Sequence, residues 1–312
     1  MDQSSHRSEL TAALPASLPA WLAGRSAPMR ALERAASDLG HAEVNLLIQG
    51  ERGTGKRALA ETIHALSPRA AGPFVFVSVP ELTEAETRQA LFGDAGPSTL
   101  ASESPGVTLY IDGVEGLSAD LQRQLLLALN SAGVWSSVRV ISGAHAPLEE
   151  AVRLGRFRRD LFFRVGVVRI SIPPLRERRE DIPMVANRIV EERPSPEGGM
   201  PVSLEPAILA ELAEDMWPGN ARELEATLDR LLRAAHGASP RLDHLRAVVG
   251  RRSRQQPPPD VFPLRDLERD YIHAVLISCN WNQSLSARRL GIGRNTLLRK
   301  IKAFGLGRAE AA

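Results

Sequence analysis

From Val44 to Lys56 the sequence reads Val-Asn-Leu-Leu-Ile-Gln-Gly-Glu-Arg-Gly-Thr-Gly-Lys. An apolar strand, Val44–Ile48, is followed by the spacing G-x-x-x-x-G-K, and a helical pattern begins at the lysine. This spacing is typical of a loop that cradles phosphates, because its glycines let backbone N–H groups face an anion at a helix N-terminus. A glycine-rich turn without a ligand is the alternative, and a chance match is expected in about 2% of sequences of this composition.

The loop predicts a nucleotide site, in which Lys56 reaches the outer phosphates. Its predicted phosphate-binding residues are Gly50, Glu51, Arg52, Gly53, Thr54, Gly55, Lys56 and Arg57. A Ser or Thr that ligates magnesium commonly follows the lysine, and Arg57 departs from that pattern. A second apolar strand, Thr108–Ile111, ends at Asp112, which we expect to hold Mg²⁺ directly or through water. Gly113 follows, and it has no side chain to orient an attacking water.

Short apolar runs alternate with amphipathic segments across the first half of the chain. Apolar strands joined by helices predict a parallel sheet, and therefore an α/β domain. The predicted strands are Val44–Ile48, Phe74–Val77, Thr108–Ile111, Val138–Ile141 and Val167–Ile172. Beyond Pro173 only helical periodicity remains, which predicts a smaller helical subdomain packed on the sheet domain. Its predicted helices are Ile182–Glu191, Glu205–Leu212 and Ala221–Ala234.

Composition excludes several classes of protein. The 312 residues are 43% hydrophobic and 24% charged, which is typical of a globular chain of about two domains. No stretch approaches the ~20 apolar residues that a membrane-spanning helix needs, so we expect no membrane partner. The single cysteine, Cys279, excludes an internal disulfide framework and fits a reducing compartment. We therefore expect a cytoplasmic protein.

Five motifs resemble the NtrC-type bacterial enhancer-binding activators that act on sigma-54 RNA polymerase. They are Gly50–Lys56, Leu91–Gly93, Gly155–Leu161, Pro173–Arg178 and Trp217–Leu224. The resemblance implies a P-loop AAA+ fold with a three-layer parallel α/β sheet and a helical lid subdomain, followed by an all-α Fis-type helix-turn-helix domain. The implied segments are a short flexible N-terminal segment (1–23), the AAA+ subdomain (24–172), the lid (173–250), a Pro-rich linker (251–262) and the DNA-binding domain (263–312).

The resemblance also implies the roles of individual residues. Lys56 and the loop amides would hold the phosphates of ATP, and Asp112 would be the acid beside Mg²⁺. Arg158 and Arg164 match the arginines that reach the nucleotide of a neighbouring subunit, and Arg222 matches a nucleotide-contacting arginine of the lid. The alternative for each arginine is an ordinary surface residue, since arginine is abundant in this chain.

Four departures from the family pattern affect hydrolysis and polymerase contact. The catalytic glutamate of the family falls at Gly113, the sensing asparagine at His145, and the asparagine that couples to the glutamate at Ser78. The polymerase-contacting Gly-Ala-Phe-Thr-Gly-Ala motif should follow Leu91–Gly93, but Asp94–Gly106 contains no phenylalanine and no such motif. Glu115 is not expected to substitute, because two residues of extended strand displace a side chain by ~6 Å.

Basic residues gather near the C-terminus, where seven lie between Ser284 and Arg308 without an acid. Asn282 can cap a helix over Gln283–Leu290, and Gly291 permits a turn before a second helix, which begins near Arg294. We expect base contacts from Arg294, Asn295, Thr296, Arg299 and Lys300, and phosphate contacts from Arg288, Arg289 and Lys302. The predicted core is Leu285, Leu290, Ile292, Leu297 and Ile301 with Leu267, Tyr271, Ala274 and Val275.

This segment, Leu290–Lys300, resembles the Fis-type helix-turn-helix. The alternative is a basic helical hairpin that only packs.

Two functions follow as hypotheses. The first is a sequence-specific, double-stranded-DNA-binding transcription regulator that binds ATP, with hydrolysis and sigma-54 remodelling impaired or lost. The alternative is an active ring ATPase that remodels RNA polymerase holoenzyme. We expect a homo-oligomer in either case, a dimer through the DNA-binding end or a ring with ATP, and RNA polymerase contact stays open.

Overall fold

The computed structural model describes residues 22, 24–94, 96–103, 106–193, 203–235, 239–252, 272, 275–276, 279 and 281–304. The chain forms two compact units, residues 1–251 and 252–312. The implied N-terminal segment, residues 1–23, apart from Leu22, and the implied Pro-rich linker beyond Arg252 lie outside the described residues.

A parallel sheet of five strands forms the centre of the first unit, in the order β2-β3-β4-β1-β5. The strands are β1 Leu46–Gln49, β2 Phe74–Ser78, β3 Thr108–Asp112, β4 Arg139–Ala144 and β5 Val168–Ser171. All five predicted strands are present, with ends shifted by a few residues. β1 lies between β4 and β5. The loop that follows β1 leaves the sheet at the carboxyl ends of its parallel strands, which is where ligands bind in such folds.

Helices cover both faces of this sheet and make three layers. The helices of this part are α1 Ala27–His41, α2 Lys56–Ala65, α3 Glu84–Phe92, α4 Pro97–Glu103, α5 Ala119–Asn130, α6 Leu148–Arg153 and α7 Arg159–Val165. Leu59 and Ile63 of α2 pack with α1 against one face of the sheet. Leu121 and Leu125 of α5 pack with α7 against the other. The predicted α/β architecture is confirmed.

Local sequence explains where two of these helices begin. Thr83 and Glu86 form a capping box at α3, in which the Thr83 hydroxyl accepts from the Glu86 N–H and the Glu86 carboxylate accepts from the Thr83 N–H. At α5 the Ser118 hydroxyl accepts from the Leu121 N–H. Both caps satisfy N–H groups that the first turn of a helix leaves free.

A helical subdomain completes the first unit. Its helices are α8 Ile182–Glu191, α9 Pro206–Glu214, α10 Asn220–Ala234 and α11 Leu242–Arg252. They enclose an apolar core around the buried Trp217, whose indole N–H donates to the carbonyl oxygen of Leu212 at 2.7 Å. In the described part of the chain, no helix has both the length and the apolar character that a membrane span requires.

The second unit contains α12 Gln283–Arg289 and α13 Arg294–Phe304. The predicted cap is confirmed, because Asn282 Oδ1 accepts from the Leu285 N–H at 3.1 Å. The turn at Gly291 is also confirmed, with φ +67°. Leu297 is fully buried against Ile272, Leu276 and Ala287.

The predicted core differs from the structure at one position. Leu285 is 41% exposed, so its prediction as a core residue is wrong. It lies in the first turn of α12, one position before the buried pair Ser286 and Ala287, and so on the outer face of the helix. Leu267, Tyr271 and Ala274 lie outside the described residues.

Candidate functional site

The loop after β1 folds around its own lysine. Gly53 and Gly55 take left-handed backbone conformations, with φ +75° and +102°, that side-chain-bearing residues rarely adopt. Lys56 Nζ donates to the carbonyl oxygens of Gly50 at 2.7 Å and Glu51 at 2.9 Å. The Thr54 hydroxyl donates to the same Glu51 carbonyl oxygen at 2.9 Å. The loop therefore holds a cation at its centre.

Lys56 is buried, and no carboxylate among the described residues is hydrogen-bonded to it, which sets its electrostatics. Burial lowers the pKa of Lys56 to about 8, although Asp112 and Glu115 attract the charged form. A desolvated ammonium beside a helix N-terminus is stabilised by an incoming anion. This arrangement suits a phosphate group.

Arg57 is held away from a ligand role in the loop. Its Nε pairs with Glu61 at 2.8 Å, and its guanidinium lies over the Phe76 ring, 4.1 Å from the ring centroid. The side chain that follows the lysine is therefore packed on α2 and β2.

Asp112 ends β3 beside the loop. Its Oδ1 accepts from the Tyr110 hydroxyl at 2.9 Å, and its Oδ2 lies 3.6 Å from His145 Nε2. Burial and the Lys56 charge lower the pKa of His145, so this imidazole is neutral at pH 7 and above. Ser78, buried at the end of β2, pairs in register with Asp112. The structure thus brings together the positions where hydrolysis was predicted to be impaired.

Gly113 occupies a position where a side chain would be strained. Its φ is +69°, and a Cβ built on it would lie 2.8 Å from Pro80 Cγ and 2.9 Å from Pro80 Cδ. A glutamate here would require both a strained backbone and a shift of the Pro80 ring.

Glu115 returns to the site, contrary to the expectation from an extended strand. β3 ends at Asp112, Gly113 turns the chain, and Val114–Gly116 form one turn of 3₁₀ helix. Glu115 Oε1 consequently accepts from the His145 N–H at 2.9 Å. Within the described residues, Glu115 Oε2 and His145 Nδ1 are buried and have no hydrogen-bond partner. The ~6 Å displacement was wrong because the chain is not extended beyond Asp112; Gly113 was the signal of a turn.

This corner suits a divalent cation bound together with phosphates. Glu115 Oε2 is an unsatisfied carboxylate oxygen, and the Asp112 carboxylate faces the same lysine; both are the oxygen ligands that Mg²⁺ prefers. Among the described residues, no three His, Cys, Asp or Glu side chains group into a metal site by themselves. Phosphate oxygens would have to complete the coordination.

Two residues of the helical subdomain, Arg176 and Asn220, form hydrogen bonds with the loop. Glu51 accepts hydrogen bonds from both terminal nitrogens of Arg176, at 2.6 and 2.5 Å, and this pairing lowers the pKa of Glu51. Asn220, fully buried with φ +53°, donates to Glu51 Oε2 at 3.2 Å and to the Arg52 carbonyl oxygen at 3.0 Å. Its Oδ1 accepts from the Leu175 N–H at 2.8 Å.

Sequence reasoning quoted Arg176 and Asn220 within motifs but gave them no role. Their polar side chains, inside two of the motifs that carry the family resemblance, were the available signal. Arg222 was predicted as a lid contact, and its backbone N–H approaches the Gly53 carbonyl oxygen at 3.4 Å while its side chain is exposed.

Arg158 and Arg164 lie on a different surface, at α7. Arg158 pairs with Asp160 at 2.7 Å, and Arg164 donates to the Leu129 carbonyl oxygen at 2.7 Å. Both are exposed. Their side chains contact α5 and α7 rather than the phosphate loop of the same chain.

The predicted DNA-contacting residues lie on α12 and α13. Arg288 and Arg289, at the end of α12, are exposed, as are Arg294, Asn295 and Arg299 on α13. Thr296 and Lys300 are half-buried, and the side chain of Lys302 lies outside what the structure describes. The exposed residues of α13 are therefore mostly polar or basic, although Leu298 is also 37% exposed.

Three protein-family models match the chain. The Sigma-54 interaction domain matches residues 22–171, the AAA+ ATPase lid domain residues 176–261, and the bacterial regulatory protein, Fis family, residues 263–304.

Relatives span most of the chain. The DNA-binding transcriptional regulator NtrC of Escherichia coli strain K12 is 31% identical over 327 residues, covering 91% of this chain and 70% of that protein. The transcriptional regulatory protein ZraR of Klebsiella oxytoca is 35% identical over 302 residues, covering 90% and 68%. NtrX from Brucella abortus, solved in complex with ATP, is 30% identical with a TM-score of 0.65, covering 91% of this chain and 69% of that one. The chain therefore belongs to the NtrC-type family of sigma-54-dependent transcriptional regulators, with a nucleotide-binding AAA+ domain, an AAA+ lid and a Fis-type helix-turn-helix.

Proposed function

We propose that this protein binds ATP as an assembly or switch ligand, hydrolyses it slowly or not at all, and regulates transcription through its DNA-binding domain. The observation that carries the proposal is the closed environment of Gly113. Phosphate binding needs amides and a lysine, whereas hydrolysis also needs a group that orients the attacking water. The position after Asp112 has no such group, and a Cβ there would have to displace the Pro80 ring.

ATP binding is supported by the loop itself. Lys56, the loop glycines and Asp112 face one another at the carboxyl edge of the sheet, and the relative NtrX was solved with ATP. We assign the phosphates to residues 50–56, without the side chain of Arg57, and the lid contact to Arg222. We also propose the segment boundaries 24–172, 173–250 and 263–312.

Magnesium would be held by Asp112, with Glu115 as a second carboxylate. The ion would neutralise part of the triphosphate charge when bound. In the chain itself, Asp112 and Glu115 would supply oxygen ligands to the ion, and Lys56 would supply an ammonium group to the phosphates.

Loss of sigma-54 remodelling is a separate part of the proposal. In sequence, residues 93–107 read Gly-Asp-Ala-Gly-Pro-Ser-Thr-Leu-Ala-Ser-Glu-Ser-Pro-Gly-Val, without the Gly-Ala-Phe-Thr-Gly-Ala motif. Seven of these residues form α4 instead. A chain without that motif has no group that matches the family's polymerase contact.

Assembly would complete the nucleotide site. Arg158 and Arg164 are exposed on α7, where Phe163 between them is 59% exposed. We propose that this surface meets the nucleotide of a neighbouring copy in an ATP-dependent ring, and that the DNA-binding ends pair as a dimer on double-stranded DNA. Arg288, Arg289 and Lys302 would contact phosphates, while Arg294, Asn295, Thr296, Arg299 and Lys300 would face the major groove.

One observation favours a second function, that of an active ATPase that remodels RNA polymerase holoenzyme. Glu115 returns to the site through the turn at Gly113, and its free carboxylate oxygen could orient water. In this second function, Glu115 takes the role of the catalytic glutamate that the family has at the position of Gly113.

Steady-state phosphate release by the purified full chain separates the two functions. The proposal predicts turnover far below ~1 s⁻¹ in the presence of Mg²⁺, DNA and saturating ATP, with little change in Glu115→Gln. The substitution is isosteric, so it removes the charge without opening a cavity. Turnover near ~1 s⁻¹ that falls at least tenfold in Glu115→Gln would establish the second function instead. Lys56→Ala, which should not bind ATP, sets the background.

A further inference from the structure

Tyr110 directs a hydroxyl at the acid of the nucleotide site from inside the sheet. Tyr110 and Asp112 are two residues apart on β3, so their side chains emerge on the same face. The phenol is fully buried, and its ring stacks with those of Phe74 and Phe76, at centroid distances of 6.3 and 5.9 Å. The hydroxyl donates to Asp112 Oδ1 at 2.9 Å. A polar group therefore ends an apolar ring stack at the carboxylate.

Gly143 makes room for that hydroxyl. It lies on β4 in register with Asp112 and does not have a positive φ, so its backbone does not require glycine. A Cβ built on Gly143 would overlap the Tyr110 hydroxyl and lie 2.9 Å from Asp112 Oδ1. The missing side chain at 143 and the added hydroxyl at 110 are complementary in space.

The contact fixes the orientation of the carboxylate. With Oδ1 bound to the hydroxyl, Oδ2 is the oxygen that lies toward His145, 3.6 Å from its Nε2. Oδ1 is thus occupied by protein, and Oδ2 is left for a ligand.

We propose that Tyr110 is a positioning residue for Asp112, and that its hydroxyl, admitted by Gly143, holds one carboxylate oxygen so that the other faces the magnesium nucleotide. The inference rests on the proposed function in one respect, which is the assignment of Asp112 to the magnesium side of ATP. It adds a pair of residues, Tyr110 and Gly143, that tune the acid without contacting the ligand.

The first test compares nucleotide affinity with and without magnesium. Tyr110→Phe removes only the hydroxyl and keeps the ring stack. For the full chain, the dissociation constant of ATP is measured by calorimetry in Mg²⁺ and again in EDTA. We expect the gain in affinity due to Mg²⁺ to fall about tenfold in Tyr110→Phe, with affinity in EDTA changed less than about twofold. Gly133→Ala, at a position with no atom within 4 Å of the new Cβ, is the matched control and should behave as the unaltered chain.

An equal magnesium effect in the unaltered chain and in Tyr110→Phe, including none in either, would overturn the role of Tyr110. Absence of any ATP binding by the unaltered chain would refute the proposed function as well, so the two failures are distinguishable.

The second test measures the coupling between the two positions by thermal unfolding. Gly143→Ala should lower the melting temperature by several degrees, because its methyl group overlaps the hydroxyl. In the Tyr110→Phe background the same Gly143→Ala change should cost less than half as much, since the hydroxyl is gone. Equal losses in the two backgrounds would contradict the complementarity of the pair.

Discussion

We expect Lys56 to couple ATP binding to proton uptake. Its pKa is about 8 in the free protein, so half of the molecules carry a neutral lysine at pH 8. A bound triphosphate favours the ammonium, and the pKa of Lys56 therefore rises on binding. We expect uptake of about half a proton per ATP at pH 8, and an affinity that falls by up to ~tenfold per pH unit above it.

Calorimetry in two buffers of different ionisation enthalpy measures this uptake at pH 7, 8 and 9. The uptake should be small at pH 7 and approach one proton at pH 9. A proton uptake that does not vary over this range would contradict the lowered pKa of the buried Lys56.

The surroundings of Gly113 prevent a glutamate substituted there from restoring ATP hydrolysis. Gly113→Glu should not raise ATP turnover, because the new Cβ meets the Pro80 ring at a φ of +69°. The change should instead lower the free energy of unfolding by about 1–3 kcal/mol. Gly113→Ala, which adds the Cβ alone, should account for most of that loss in urea denaturation. A stable Gly113→Glu protein with increased phosphate release would contradict the geometry.

Among the elements of the fold, those with a strong local pattern could be predicted from sequence. The Gly50–Lys56 loop and the five strands follow from apolar runs and glycine spacing, and the structure has them. The course of the chain after Asp112 could not be predicted, because it depends on one left-handed glycine and on packing against Pro80. Likewise, the contacts of Asn220 join segments 169 residues apart in sequence, which no local pattern encodes.

The turn at Asn220 attaches the lid to the phosphate loop. Asn220→Gly keeps the left-handed backbone accessible but removes three hydrogen bonds, to Leu175, Glu51 and Arg52. We expect the free energy of unfolding of the AAA+ and lid transition to fall by about 2–3 kcal/mol. Asn220→Ala should lose about 1 kcal/mol more, since alanine is strained at positive φ. Urea denaturation measures the free energy of unfolding of both variants. A loss below about 0.5 kcal/mol in Asn220→Gly would contradict the proposal that Asn220 attaches the lid to the phosphate loop.

The two helices of the DNA-binding unit should contribute differently. Arg294→Ala, at the start of the second helix, should weaken binding to a specific site by about 1–3 kcal/mol and relax sequence preference. Arg288→Ala should weaken all sequences alike and reduce the salt dependence by about one ion. Fluorescence anisotropy on specific and random duplexes measures both variants. Identical behaviour of the two variants would contradict the assignment of α13 as the recognition helix.

At the scale of the whole molecule, the nucleotide site combines groups from the sheet edge, the lid and, by our proposal, a second copy. The sheet edge supplies Lys56 and Asp112, and the lid supplies Asn220 and Arg176 through Glu51. The lid is hydrogen-bonded to the phosphate loop itself. A nucleotide bound in the loop would therefore change the position of the lid. By our proposal, ATP acts through this linkage as a ligand that changes assembly, without requiring its hydrolysis.

The chemical identity of the bound nucleotide tests the central claim most directly. The full chain is incubated with ATP, Mg²⁺ and DNA for many minutes and separated from free nucleotide, and the bound nucleotide is then extracted and identified by chromatography. Retention of intact ATP at close to one per chain is the result that this account predicts. Recovery of ADP in its place would contradict it.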